Sequence, residues 1–182
     1  MKEISLHILD IAENALAAGA THVGIEIDVD HAKDRLLITL RDDGSGMDKG
    51  LAESVLSPFV TTRTTRKVGL GLPMFKAGAD LCGGSFSLQS APNAGTLVQA
   101  GYPISHIDRP PLGDIAETMQ VLILAKPDVE FVFCCRVDGT AFVFDTREIR
   151  RYLGSAPIDA PEVAVWIREY IDEGVKKLYG GI

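Results

Sequence analysis

Positive charge is scarce in this sequence: 18 Lys and Arg stand against 25 Asp and Glu, a net charge of −7. General nucleic-acid binders and anionic-membrane binders need a basic footprint, so the balance disfavours both and leaves room only for a local basic patch. Cysteine is scarce too, with three in the chain and no C-x-x-C spacing, which fits neither a zinc site nor a disulfide framework. Cys134 and Cys135 stand side by side in an apolar run and read as small buried residues. No apolar run approaches the roughly 18 residues that a membrane span requires. Met1-Lys2-Glu3 leads straight into an amphipathic segment rather than a signal peptide, so the default compartment is the cytoplasm. What is present is enough for a core: 46% of the 182 residues are hydrophobic and 24% charged, which suits one globular unit with at most a small annex.

The chain is organised around Arg41-Asp42-Asp43-Gly44-Ser45-Gly46-Met47, an acidic pair running into a glycine turn behind the apolar strand Leu36–Leu40. Such a turn sets a carboxylate at a strand end, and its glycines let another group lie against bare backbone. Before it, Ser5 to Ala18 reads as a helix with Ile8, Ile11, Ala12, Ala15 and Leu16 on one side and Gly19 as its stop. Asp10 and Asn14 then share a face with Glu13 beside them, either a solvated side or the wall of a polar site. Thr21 to Val29 alternates as a half-buried strand, and its short connection to Leu36–Leu40 predicts an antiparallel pair. Asp48 to Val55 reads as a short helix ended by Ser57-Pro58-Phe59. The stretch from Val60 to Val68 has no apolar period and carries Arg63, Arg66 and Lys67, as a solvated loop or as a lid that meets an anion. Gly69-Leu70-Gly71-Leu72 opens a helix to about Leu81, and free N–H groups behind glycines at a helix start favour phosphate. Strands at 85–89 and 96–100 close the unit around a turn at 92–95.

The order Glu13-Asn14, Asp42-x-Gly44-x-Gly46, Pro58-Phe59, Gly69-x-Gly71 and Gly95-Thr96 resembles the GHKL ATP-binding superfamily. That superfamily comprises gyrase-type topoisomerases, ninety-kilodalton heat-shock chaperones, sensor histidine kinases and mismatch-repair ATPases. The resemblance covers about residues 5–104 and implies an α+β fold, a two-layer α/β sandwich of the Bergerat type. It also implies ATP and Mg²⁺ as cofactors. On the matching positions, Glu13 would activate a water or hydroxyl, and Asn14 would hold the Mg²⁺. Asp42 would read the adenine amino group, supported by Thr96 and flanked by Gly44, Gly46 and Met47. Thr62 and Lys67 of the lid and Gly69, Leu70, Gly71 and Leu72 would meet the phosphates. Glu13-Asn14-Ala15-Leu16-Ala17-Ala18-Gly19-Ala20 looks like the mismatch-repair and topoisomerase version. Pro58-Phe59-Val60-Thr61-Thr62, Gly69-Leu70-Gly71-Leu72-Pro73, Gly83-Gly84-Ser85 and Ser90 look like histidine kinases, and span more positions.

A sensor kinase carries a helical hairpin with a phosphoacceptor histidine upstream, and His7, His22, His31 and His106 lack that context. Phosphoryl transfer would then need an acceptor on another protein, as in the anti-sigma-factor serine kinases. The expected partner is therefore a protein, with no membrane and no direct nucleic-acid contact, and a homodimer is left open. Two domains are expected, 1–104 and 105–182, separated by a proline-punctuated linker at 103–111. In the second, Asp114/Glu117, Asp145/Glu148 and Asp159/Glu162 each have the form of an acidic helix cap, and Asp138-Gly139 divides two apolar strands as a hairpin turn. That reads as an α-β-β-α-α annex. Val163, Trp166, Ile167, Tyr170, Ile171, Val175 and Leu178 form one stripe on its last helix, a core face or a docking face. The function expected is a phosphotransfer or ATPase module acting with a partner protein. A nucleotide-gated regulator without catalysis and, more remotely, a mismatch-repair-like ATPase are the alternatives.

Overall fold

The alternating strands meet in one six-stranded mixed sheet with helices on its apolar face. The structure is a computed structural model and describes residues 3–56 and 71–179. The expected lid at 61–67, with Thr62 and Lys67, lies outside the described residues, as do Pro58-Phe59, Gly69 and Leu70. In chain order the elements are α1 (Ile4–Ala17), β1 (His22–Asp30), β2 (Arg35–Asp42), α2 (Lys49–Ser54), α3 (Gly71–Leu81), β3 (Ser85–Ser90) and β4 (Thr96–Pro103). There follow α4 (Ile115–Ala125), β5 (Glu130–Val137), β6 (Thr140–Asp145), α5 (Thr146–Leu153) and α6 (Pro161–Tyr179). A 3₁₀ turn, His31–Lys33, links β1 to β2.

The sheet order is β3-β4-β2-β1-β5-β6. β1 and β2 pair antiparallel, as their short connection requires, and β4 runs antiparallel to β2. Period-two patterning decides which side faces the helices. Val23, Ile25, Ile27 and Val29 of β1, Leu36, Ile38 and Leu40 of β2, and Phe131, Phe133 and Cys135 of β5 are buried there. Each fully buried isoleucine, such as Ile27 or Ile38, contributes about 1.5–3 kcal/mol relative to exposure. On the opposite face Arg136 donates to Glu26 at 2.7 Å and Arg35 to Asp28 at 2.9 Å. These half-exposed pairs set register more than stability.

The C-terminal elements have the expected order α-β-β-α-α, and β5 continues the sheet by pairing parallel to β1, from His22↔Glu130 to Val29↔Val137. The turn Asp138-Gly139 has φ of 47° and 86°, the left-handed pair that a two-residue hairpin demands. Asp114 caps α4 through Glu117 N and Asp145 caps α5 through Arg147 N, each cap worth about 1 kcal/mol. The third helix starts at Pro161, a residue suited to a first helical position, so Asp159 stands outside it. α4 and α6 pack together, tied by Gln120 Nε2 to Ala164 O at 2.8 Å and by Arg168 to Asp114 at 3.0 Å. The α6 stripe divides: Ile167 and Ile171 are buried, whereas Trp166 and Tyr170 stack on each other 5.0 Å apart on the half-exposed side. The segment after β4 is pinned along its length. Ser105 bonds Asp34 through N and Oγ, and Ile4 N and Ser5 N donate to Pro111 and Leu112 carbonyls.

Candidate functional site

The acidic glycine turn leaves the end of β2 and wedges between the C-terminus of α1 and the β3–β4 turn. Ser45 N donates to Ala18 O at 3.0 Å, and Asn93 N donates to Ser45 O at 2.7 Å. Gly44 is buried against Ala18, where an added Cβ would lie 3.1 Å from the Ala18 Cβ. At Gly46 (φ +63°) a Cβ would fall 2.0 Å from Ala91 O, and at Gly95 (φ +72°) 2.0 Å from Asp42 O. Packing of protein on protein thus requires glycine at Gly46 and Gly95 before any ligand is considered.

The same turn fixes the carboxylates. Asp42 and Thr96 are direct cross-strand partners of β2 and β4, although 54 positions separate them in sequence (96 minus 42). Asp42 is half-buried, and its Oδ1 accepts the Gly44 N–H at 2.8 Å. Burial, helped by the neighbouring Asp43 charge and opposed by the Gly44 and Thr96 N–H groups, pushes the Asp42 carboxyl above its ordinary range. Thr96 Oγ1 lies 3.0 Å from Ser90 Oγ, which donates to Gly95 O and accepts the Met47 N–H, each at 2.9 Å. Ser90 therefore locks Met47, Gly95 and Thr96 around Asp42. In the sequence it stands out only as part of a family-like run.

α1 connects this turn to the second glycine motif. Gly71, the first described residue of α3, lies against α1 so closely that a Cβ there would be 2.8 Å from the Asp10 Cβ. Asp10 therefore marks the α3 contact and Ala18 the Gly44 contact, eight residues or about 12 Å apart along the helix. Asn14 is midway between them and half-buried, and Glu13 beside it is exposed. The Leu72 side chain is buried in the core, so only its backbone N–H, in the first turn of α3, is placed to serve a ligand. The Asn14 side chain makes no hydrogen bond among the described residues. Nor do the described residues contain a group of three His, Cys, Asp or Glu that could cage a metal. One free amide oxygen suits magnesium, which takes few protein ligands and completes its octahedron from phosphates and water.

Asp43 has a larger structural role than its sequence suggests. It accepts from Thr21 N (2.7 Å), Thr21 Oγ1 (2.6 Å) and His22 N (2.8 Å), and its Oδ2 lies 3.0 Å from His22 Nδ1. The other ring nitrogen of His22 meets Glu130 at 2.5 Å, so this corner joins the end of β2 to the starts of β1 and β5. Burial acts to raise the Asp43 carboxyl, but the donors from Thr21 and His22 outweigh it and hold the group well below the usual carboxylate range. A depressed folded value contributes stability that is present above the ordinary value near 3.8 and is lost as the pH falls toward the folded one. Asp43→Ala is expected to lower stability at pH 7 by about 1 kcal/mol, since the network is half-exposed. Asp43→Asn should flatten the fall in melting temperature below about pH 4. Melting curves between pH 3 and 7 check both.

With that geometry in place, the sequence pattern of the histidine kinase-, DNA gyrase B- and HSP90-like ATPases matches residues 2–106. The chain belongs to this family. Its ATP-binding domain supplies α1 through β4, the elements that hold every site residue described above. Among relatives, the cell-division control histidine kinase PdhS of Brucella anthropi is 29% identical over 120 residues, covering 59% of this chain and 11% of its own. Sporulation kinase D of Bacillus subtilis is 29% identical over 98 residues, covering 54% and 19%. The chain therefore spans less than a fifth of the length of either. The fold is shared with the N-terminal domain of a DNA repair protein (TM-score 0.53, 13% identity, 79% of this chain and 52% of that one). It is shared as well with the ADP-bound MutL ATPase domain of Aquifex aeolicus (TM-score 0.51, 16% identity, 80% and 63%). Four-fifths of the chain is more than residues 2–106 contain, so the common fold takes in part of α4 to α6. Among the described residues no helix is long and apolar enough to cross a membrane.

Proposed function

We propose that this family domain binds Mg²⁺-ATP between α1, the Asp42 turn and the start of α3, and passes or hydrolyses the terminal phosphate in concert with a partner protein. The observation that carries this reading is the span of α1, which touches Gly71 at Asp10 and Gly44 at Ala18 with Asn14 between. One end of that span supports an adenine subsite and the other a phosphate subsite. Asp42 has one oxygen engaged by Gly44 N–H, leaving Oδ2 to accept the adenine amino hydrogen. Thr96, held by Ser90 opposite Asp42, assists there. Toward the phosphates, the backbone N–H groups of Gly71 and Leu72 stand at a helix start whose dipole favours negative charge. Asn14 Oδ1 would hold Mg²⁺, which when bound neutralises charge on the phosphates. Glu13, exposed next to Asn14, accepts the proton of the attacking water or hydroxyl as the bond from the terminal phosphorus to its bridging oxygen breaks. One relative named as a histidine kinase and another named as a sporulation kinase support transfer to a protein acceptor.

A second reading, a mismatch-repair-like ATPase, draws support from the fold likeness to MutL that extends past residue 106. Glu13→Ala separates the two. If the chain hydrolyses ATP, the substitution keeps nucleotide affinity and lowers phosphate release about a hundredfold or more. If release by the unsubstituted chain is at background while label from γ-phosphate-labelled ATP appears on a partner, the kinase reading stands. Partner capture that is equal with ATP, with ADP and without nucleotide argues against a gated, non-catalytic regulator.

A further inference from the structure

At the far end of the β1–β2 hairpin from the Asp42 turn is a cavity of about 380 Å³, within the size range of small-ligand sites. β1 reaches it at Val29, opposite Leu36, six residues and about 20 Å from Val23, opposite Asp42. Its walls are mainly apolar: Val29 and Leu36 of the sheet, Ile104 and Leu112 of the strap after β4, and Val175 and Tyr179 of α6. Besides Tyr179, the side chains of His31, Arg109, Asp172 and Lys176 reach it, and three of these four already have partners. Lys176 pairs with Asp172 at 2.7 Å, and His31 Nδ1 meets Asp138 at 2.8 Å. Arg109 is different. Its Nε donates to Ile104 O at 3.1 Å and its Nη1 to Pro110 O at 3.4 Å, which anchors the guanidinium. No carboxylate lies within ion-pair distance of it among the described residues, and no described acceptor engages Nη2.

A half-buried guanidinium in an apolar wall, held by carbonyls and lacking a counter-charge, is poised for an anion. Since Lys176 and Asp172 cancel, the cavity presents one net positive charge. A monoanion balances it, whereas a phosphate dianion would leave surplus negative charge among apolar groups. The remaining Arg109 N–H groups are planar and adjacent, which suits a carboxylate. Burial pushes the Tyr179 phenol above its ordinary range, so it stays a neutral hydroxyl.

We infer that this cavity is a second ligand site, distinct from the nucleotide site, for a small organic acid with an apolar body against Val29, Leu36 and Val175 and one carboxylate on Arg109. Hexanoate is the probe, added to the full chain while the methyl NMR signals of Val29, Leu36 and Val175 are followed. These signals should shift saturably with a Kd on the order of 1 mM or tighter. Hexanamide, which lacks the charge, should bind about ten- to a hundredfold more weakly, and Arg109→Gln should weaken hexanoate by a similar factor. Should Arg109→Gln fail to fold, the comparison of hexanoate with hexanamide on the unsubstituted chain carries the test alone. No saturable shift, equal binding of the amide, or tighter binding of hexyl phosphate than of hexanoate would each overturn the assignment. ATP titrated into the same samples reports on the nucleotide site separately, so loss of one reading is distinguishable from loss of the other.

Discussion

Gly95→Ala is expected to destabilise the protein by about 3 kcal/mol or more, because it combines backbone strain with overpacking. The new Cβ would stand 2.0 Å from Asp42 O and 2.8 Å from its carbonyl carbon, at φ +72°. Neither backbone can withdraw without breaking the Asp42↔Thr96 pairing on which the site is built. Gly139→Ala is the internal control. Its φ of +86° is equally positive, but nothing lies within 4 Å of the added atom, so the change should cost only about 1 kcal/mol. Urea midpoints of the two variants, compared with the unsubstituted chain at equal slope, measure the difference directly. Equal losses in both would mean that the tight contact at Gly95 relaxes.

Asp42→Asn should weaken ATP by about ten- to a hundred-and-fifty-fold, the range for losing a hydrogen bond to a charged acceptor. The change is nearly isosteric, so the argument rests on donors and acceptors. In the native site Oδ1 accepts the Gly44 N–H at 2.8 Å, and in the proposed binding mode Oδ2 would take the ligand's amino group. An asparagine has one oxygen and one NH₂, and must present the NH₂ either to Gly44 N–H or to the adenine amino group. Each choice sets donor against donor. Because burial is the main cause of the raised Asp42 carboxyl, acid should also weaken ATP binding at a higher pH than an ordinary exposed aspartate would allow. Calorimetry of both proteins from pH 7 down toward pH 4 tests the two statements together.

Much of the framework was legible because its signals are local. The alternation of Val23, Ile25, Ile27 and Val29, and the short polar connection after it, specify β1 and its antiparallel pairing with β2. Asp138-Gly139 specifies a hairpin because few residue pairs accept two consecutive positive φ values. The parallel pairing of β1 with β5 has no such signal. Its partners are 108 positions apart at His22↔Glu130 (130 minus 22), and parallel register depends on crossover packing rather than on a turn. The α6 stripe was half legible, since spacing alone cannot separate buried Ile167 from the stacked and half-exposed Trp166 and Tyr170. Within the candidate site, the order of motifs picks out Asn14, Asp42, Gly44, Gly46 and Thr96, and the structure gathers Asp42, Gly44, Gly46 and Thr96 around one turn. The sequence did not show why glycine is needed at Gly46, where the crowding group is Ala91 O. Nor did it show the Asp43 corner, because Thr21 and His22 reach the Asp43 carboxylate, and Glu130 reaches His22, only after three strands have paired. Arg109 was hidden for a similar reason: its isolation from carboxylates is a property of the folded surroundings.

In the proposed binding mode one nucleotide lies along α1 between the Asp42 turn and the Gly71 end of α3. This placement is tested most directly by titrating the ¹⁵N-labelled chain with ATP, first without and then with Mg²⁺, and following the backbone amides. Saturable shifts are expected at Gly44, Gly46, Met47 and Thr96 with ATP alone, and further shifts at Asn14, Gly71 and Leu72 when Mg²⁺ is added. Amides around the remote cavity, such as Val29 and Val175, should move least. Absence of saturable shifts at millimolar ATP, or shifts confined to residues away from α1 and the Asp42 turn, would contradict that placement.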